Sequence, residues 1–338
     1  MKVYEIQKGS TSLTGLQRGE RPDPQKPGPQ QVLIRVRATS LNYRDHLAVI
    51  GQYIGGVVSR DTIPLSDGAG EVTAVGEGVR RFKVGDRVAG TFFQVWKDGP
   101  RVSYPPALGV PLDGMLSEYV VLHEDGVVAL PQSLSFEEGA SLPCAGVTAW
   151  NALMVAGKQV KPGDTVLCQG TGGVSMFGLQ LARAAGARVI VSSSSDEKLE
   201  KAKKLGASEG INYKTHPEWE KEVLRVTGGR GVDHIVEIGG AAGLARSFQA
   251  LAFEGKIALI GFLAGPGGDS TPYPLMMKGG SLEGIGVGST RMFEDLLRAI
   301  EVSGIKPVID KVFPFDEAPD AFRHLSSGDF MGKVVITV

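Results

Sequence analysis

Residues 164–187 read DTVLCQGTGGVSMFGLQLARAAGA. An apolar run from Thr165 to Cys168 meets a glycine cluster (Gly170, Gly172, Gly173), and a helical pattern follows in Val174, Phe177, Leu179, Leu181, Ala182 and Ala185. Strand, tight turn, helix is the order of a dinucleotide-binding fingerprint. Its glycines let backbone approach a pyrophosphate, and the free N–H groups at the positive end of the helix dipole meet its charge. Ser175 stands where the fingerprint has its third glycine, so the stretch takes its meaning from its surroundings.

Working outward, strands and helices alternate. Strands are expected at 165–169, 188–192, 209–212, 233–238, 256–261 and 281–287, with helices at 174–185, 196–205, 217–227 and 241–251. Such alternation predicts an α/β fold with a six-stranded, doubly wound parallel sheet of the Rossmann kind, and it puts the glycine cluster after the first strand. Upstream, Ser135 and Glu138 form a capping box opening a small-residue helix interrupted near Pro143. The first 122 residues read differently. RPDPQKPGPQ is an extended surface connection, VLIRVRA (32–38) alternates as a strand with one wet face, 44–50 is a short helix, and short strands surround VGEGVRRFKVGD. A long loop, 92–112, precedes a strand at 116–122, and loops of that length are more often functional than scaffolding. Residues 291–302 predict a helix, and the tail through KPVIDKVF and GKVVITV returns to short strands. The expected domains are therefore 1–122 with 291–338, β-rich and substrate-binding, and 123–290, dinucleotide-binding.

A chain of 338 residues, 42% apolar and with a net charge of −1, suits two core-bearing domains and carries no basic block, so no nucleic-acid partner is expected. No apolar run approaches a membrane span, and the N-terminus carries no targeting pattern, which predicts a cytoplasmic protein with no membrane partner. Two cysteines, Cys144 and Cys168, supply at most two ligands to one metal.

Five motifs in order, LNYRD (41–45), DGAGEVTAVGEGV (67–79), VGDRV (84–88), GTGGVS (170–175) and GKVVI (332–336), resemble those of the medium-chain dehydrogenase/reductase superfamily. Within it the chain looks most like the zinc-independent quinone oxidoreductase, or zeta-crystallin-like, branch. The resemblance implies a Rossmann domain inserted in a β-rich, co-chaperonin-like domain. Zinc-using members hold their catalytic metal on Cys, His and a second Cys or acid, and catalytic zinc needs three protein ligands. Here the matching places hold Asn42, Ser66 and Cys144, so no zinc is expected. His46, His123, His216, His234 and His324 are scattered, and read as solvent-facing or hydrogen-bonded imidazoles.

An NAD site places an acid about 20 residues after the first glycine. That place reads VIVSSSSDEK, with Ser192, Ser193 and Ser194, and hydroxyls beside a cation suit a 2′-phosphate. In the quinone oxidoreductases a Lys and a Tyr share that task, and Lys198 and Tyr213 match them, so NADPH is expected over NADH. The alternatives are that Ser195 merely caps a helix carrying Lys198, and that Asp196 faces the ribose. Asp329, where relatives are commonly basic, weighs against NADPH. The resemblance adds cofactor contacts at Thr148, Val174, Ser175, Gly239, Gly261, Phe262, Val287, Gly288 and Ser289.

Without a Lewis acid, hydride transfer favours acceptors that delocalise charge, quinones or α,β-unsaturated carbonyls. Asn42 is assigned to orient substrate or nicotinamide, and Tyr53 to hydrogen-bond the carbonyl, with solvent or Tyr53 as proton donor. Arg44 and Asp45 could instead fix the local turn, and Phe92, Phe93 and Trp96 either cover substrate or belong to the core. Two other functions remain: an alcohol dehydrogenase acting on a simple alcohol or ketone, and a low-turnover NADPH-binding protein. SLEGIGVG (281–288) is a candidate edge for pairing across a two-fold axis, which predicts a homodimer.

Overall fold

The computed structural model describes residues 1–263, 267–268 and 270–338. The segment 262–278, between the fifth and sixth expected strands, therefore lies partly outside the described residues. The chain forms two compact units, Met1–Val147 with Gly288–Val338, and Thr148–Val287.

The Thr148–Val287 unit is the predicted parallel sheet. Its six strands lie in the order Glu209–Asn212, Arg188–Ser193, Thr165–Gln169, Val232–Glu237, Leu251–Leu259, Ser281–Gly284, every neighbouring pair parallel. The sequence-first strand thus lies beside the fourth, the switch point at which open α/β sheets take ligands outside their carboxyl ends. Thr165–Gln169 is buried throughout, as a central parallel strand must be. Helix Gly173–Ala184 covers it with Met176, Phe177, Leu179 and Leu181. A Cβ at Gly178 would stand 3.1 Å from Cys168 Sγ, so the missing side chain sets how closely helix and strand pack.

The other unit is built on a mixed sheet ordered Ile309–Pro314, Lys333–Thr337, Gln31–Leu41, Asp67–Val75, Arg87–Gly90, Val127–Ala129, with Tyr119–His123 also paired to Gln31–Leu41. Val32, Ile34 and Val36 point one way, into a core with Phe82, Leu108 and Met115. A second core gathers Val3, Leu41, Phe313, Phe322, Val334 and Ile336.

Two expectations need correction. The first unit extends past residue 122 to Val147, because Val127–Ala129 is a strand of the mixed sheet, hydrogen-bonded to Arg87–Gly90, and the capping-box helix Phe136–Ala140 also belongs there. The C-terminal tail is not only strands. Ala318–Ser327 is a helix with Ala318, Ala321, Phe322 and Leu325 buried along one face.

Candidate active site

In the parallel-sheet unit, the candidate dinucleotide-binding residues lie at the carboxyl ends of the strands. Gly170 has φ +72°, a left-handed turn that a side chain would strain. Gly172 caps helix Gly173–Ala184 with an extended backbone, no capping side chain and no described atom within 4 Å of a hypothetical Cβ. Gly173, Val174 and Ser175 form the first helical turn, whose N–H groups have no side-chain cap from Gly172. The Ser175 side chain is buried and donates to Gln169 O at 2.5 Å. It ties the helix back to the strand, which accounts for a serine at the third position and leaves its backbone N–H for a ligand.

Glu237, fully buried at the end of the fourth strand, sets the next turn. Oε2 accepts from Gln169 Nε2 at 2.7 Å and from Ser247 Oγ, and Oε1 accepts from the N–H groups of Gly239 (2.8 Å) and Gly240 (3.2 Å). A carboxylate satisfied at both oxygens is stable out of water, and it couples the two switch-point strands. Gly240, φ +86°, lies so near the next strand's end that a Cβ would stand 2.7 Å from Phe262 Cα; Gly261 packs equally closely on Ile238. Phe262 is exposed and Thr148 buried. Val287 has a left-handed φ of +53°, its carbonyl held by Asn151 Nδ2 at 2.6 Å.

At the second strand's end no acidic side chain occupies the ribose position. Ser193 is buried, its Oγ accepting from Ser195 N, and its carbonyl accepts from Tyr213 N at 3.0 Å, joining the ends of the second and third strands. Ser194 is half-buried and Tyr213 exposed. Ser195 caps helix Asp196–Lys204 by accepting from Lys198 N. The first acid of that helix, Asp196, accepts from Asn212 Nδ2 at 2.7 Å. Gly288 and Ser289 belong to the mixed-sheet unit, where Ser289 Oγ caps helix Thr290–Ser303 by accepting from Met292 N.

In the mixed-sheet unit, a polar cluster is centred on Asn42, the N-cap of helix Tyr43–Val49. Its backbone N–H donates to Asp45 Oδ2 at 2.8 Å, and its side-chain Oδ1 accepts from the buried Lys333 ammonium at 2.5 Å. An ammonium can only donate, so it fixes which end of the amide is oxygen. Asn42 Nδ2 is left buried with no hydrogen-bond partner among the described residues. Lys333 also donates to Leu41 O at 2.7 Å and lies 3.8 Å from Asp67 Oδ2. Asp67, fully buried, accepts from Ser66 Oγ (2.7 Å) and Cys144 N (3.0 Å). Lys333 and Asp67 thus draw together Asn42, Ser66 and Cys144, the three positions that carry zinc ligands in metal-using relatives.

These residues do not fit a zinc ion. Asn42 Oδ1 faces a lysine cation and Ser66 Oγ is committed to Asp67, which leaves of the three only the Cys144 thiol as a ligand zinc favours, short of the three a catalytic zinc needs.

Asp45 is buried beside Arg44, and burial pushes its carboxyl up to about 6 although Arg44 opposes the shift. Arg44 donates to Leu108 O and Val110 O, each at 2.9 Å, so this helix anchors the distant 92–112 loop as well as pairing locally with Asp45 at 3.2 Å. Tyr53 is half-buried with its ring 4.6 Å from the Arg44 guanidinium carbon. Phe92 and Phe93 are core residues; Trp96 is half-buried, its indole N–H donating to Gly99 O. His234 is buried against Asp164, and His324 pairs with Asp310. Sequence reasoning missed Lys333 and Asp67. Both stand inside the motifs GKVVI and DGAGEV, where a charged residue heading an otherwise apolar strand was the available signal.

Residues 28–132 match the alcohol dehydrogenase GroES-like domain model, and 173–302 the zinc-binding dehydrogenase model. The chain is 46% identical over 324 residues, 93% of each chain, to the zinc-type alcohol dehydrogenase-like protein C1773.06c of Schizosaccharomyces pombe. It is 31% identical to a quinone oxidoreductase of Pseudomonas aeruginosa, again over 93% of each chain. The crystal structure of an NAD-dependent alcohol dehydrogenase superposes with a TM-score of 0.92 at 34% identity, covering 100% of both chains. With its Rossmann-like parallel sheet and GroES-like mixed-sheet unit, the chain belongs to the medium-chain dehydrogenase/reductase superfamily of oxidoreductases.

Proposed function

We propose that this protein is a zinc-independent, NADPH-dependent oxidoreductase that transfers hydride to a quinone or an α,β-unsaturated carbonyl. The observation that carries this proposal is the Asn42 amide, whose Nδ2 is an unmet donor held out of water. A buried donor of that kind costs about 1–3 kcal/mol until an acceptor meets it. A carbonyl oxygen that gains negative charge during reaction meets it best.

Bound NADPH supplies the hydride. The N–H groups of Gly172 to Ser175 would hold its pyrophosphate, and Ser193, Ser194, Lys198 and Tyr213 its 2′-phosphate. The engagement of Asp196 by Asn212 supports this choice, because it commits one oxygen of the first carboxylate after the serines to a hydrogen bond within the protein. Asn42 Nδ2 donates to the acceptor's oxygen where enolate or phenolate charge gathers, the Tyr53 hydroxyl is a second donor, and solvent returns the proton. The conjugated acceptor spreads the charge that a metal would otherwise stabilise.

The second reading, an NAD-linked alcohol dehydrogenase, draws on the NAD-dependent structural relative. A turnover screen crossing NADPH and NADH with quinones, enones and simple alcohols separates the two. Faster NADPH oxidation with conjugated acceptors supports the proposal, and alcohol oxidation with NAD alone overturns it. Tight NADPH binding without turnover on any acceptor would instead favour a binding protein.

A homodimer is also proposed. Ser281–Gly284 is an edge strand paired on one side only, with Leu282 exposed. Light scattering of wild type and Leu282→Lys tests it, a dimer becoming a monomer.

A further inference from the structure

We propose that Lys333 is a positioning residue: its buried ammonium locks the Asn42 amide so that Nδ2, and not Oδ1, is presented to the acceptor's carbonyl oxygen. The role deepens the proposed function and rests on the assignment of Asn42 as the carbonyl's donor.

Lys333 is 2% exposed at the head of strand Lys333–Thr337. Register places it there: Val334 pairs with Leu41, so the preceding residue reaches the backbone just before Asn42. Its ammonium has three donors. Two are spent on Leu41 O and Asn42 Oδ1, and Asp67 Oδ2 lies 3.8 Å away as the balancing charge. A free asparagine amide can turn over and offer either end, but an oxygen held by a cation cannot. The charge-assisted bond also polarises the amide, which strengthens the N–H bonds at its far end as donors. Positive charge thereby acts on the carbonyl through Asn42, in the cluster where metal-using relatives place their ion. Asn42 touches the substrate, and Lys333 acts only through it.

The chain has three asparagines, Asn42, Asn151 and Asn212, so ¹⁵N-asparagine labelling gives a legible side-chain amide spectrum. In the wild type the Asn42 amide protons should exchange with solvent at least about tenfold more slowly than those of an exposed amide. Lys333→Met should remove that protection. The same variant should lower kcat about tenfold on an enone, with NADPH affinity and KM within about twofold. Asn42→Ala should lose about a hundredfold, and adding Lys333→Met to it should cost nothing more. If Lys333→Met does not fold, Lys333→Met with Asp67→Asn, which also removes the stranded carboxylate, takes its place. A rapidly exchanging Asn42 amide in the wild type, or fully additive losses, overturns the role. The amide spectrum needs no turnover. A locked amide in an enzyme that reduces no conjugated carbonyl would contradict the proposed function and leave the positioning intact.

Discussion

Asp196, the first residue of helix Asp196–Lys204, is held by Asn212 at the end of the neighbouring strand, Nδ2 to Oδ1 at 2.7 Å. On the proposed NADPH reading, this bond commits one oxygen of Asp196 away from a ribose 2′-hydroxyl, and Ser193, Ser194, Lys198 and Tyr213 meet the 2′-phosphate. Asn212→Ala should therefore release Asp196 and lower the ratio of kcat/KM for NADPH over NADH about three- to tenfold. Lys198→Ala should raise KM for NADPH about tenfold and leave NADH almost unchanged. Steady-state kinetics with both cofactors checks the pair, and equal losses with each cofactor would contradict the assignment.

Gly170 and Gly172 stand two residues apart and should respond to alanine in opposite ways. At Gly170 a side chain meets a left-handed φ of +72° and Ile238 Cδ1 at 3.0 Å, so Gly170→Ala should lose about 1–2 kcal/mol of stability. At Gly172 the backbone suits any residue and the space is open, so stability should hold. NADPH affinity should nevertheless fall at least about tenfold, since the Cβ would fill the space a pyrophosphate needs. Thermal melting and fluorescence titration of the two variants separate a turn glycine from a ligand glycine.

Asp45 makes stability depend on pH in a defined direction. Its ordinary value of 3.8 is pushed up to about 6 in the folded protein by burial. The folded state therefore binds this proton more tightly than the unfolded chain, and ionising the buried carboxyl costs stability. That contribution should decline as pH rises from about 4 to about 6 and stay constant above. Asp45→Asn removes the titration. The melting temperature of wild type minus variant should fall by a few degrees across this window and then level. A flat or rising difference would contradict the burial argument.

Much of the parallel unit was legible because continuous apolar runs, helical periodicity and the glycine turn agree there. The third-strand bounds, 209–212, match, and helix 291–302 is observed as Thr290–Ser303. Strand 256–261 in fact begins at Leu251. Its first residues include exposed Phe253 and the left-handed Glu254, a sequence that continues the preceding helix's apolar pattern instead of alternating. Strand 281–287 stops at Gly284, short of the left-handed Val287. Helix Ala318–Ser327 was missed although Ala318, Ala321, Phe322 and Leu325 carry helical spacing and Gly328 ends it, because strand-like runs flank it closely. At the site, Asn42 was found from its motif. Lys333 was not, because 291 residues separate it from the amide it holds and only the sheet register brings them together.

The central claim is reduction of a conjugated carbonyl with NADPH and without a metal, and it is tested most directly by NADPH oxidation with an enone and a quinone before and after exhaustive dialysis against a strong zinc chelator. Turnover should be the same in both preparations. Activity that disappears on chelation and returns with added zinc would contradict the account of Asn42, Ser66 and Cys144.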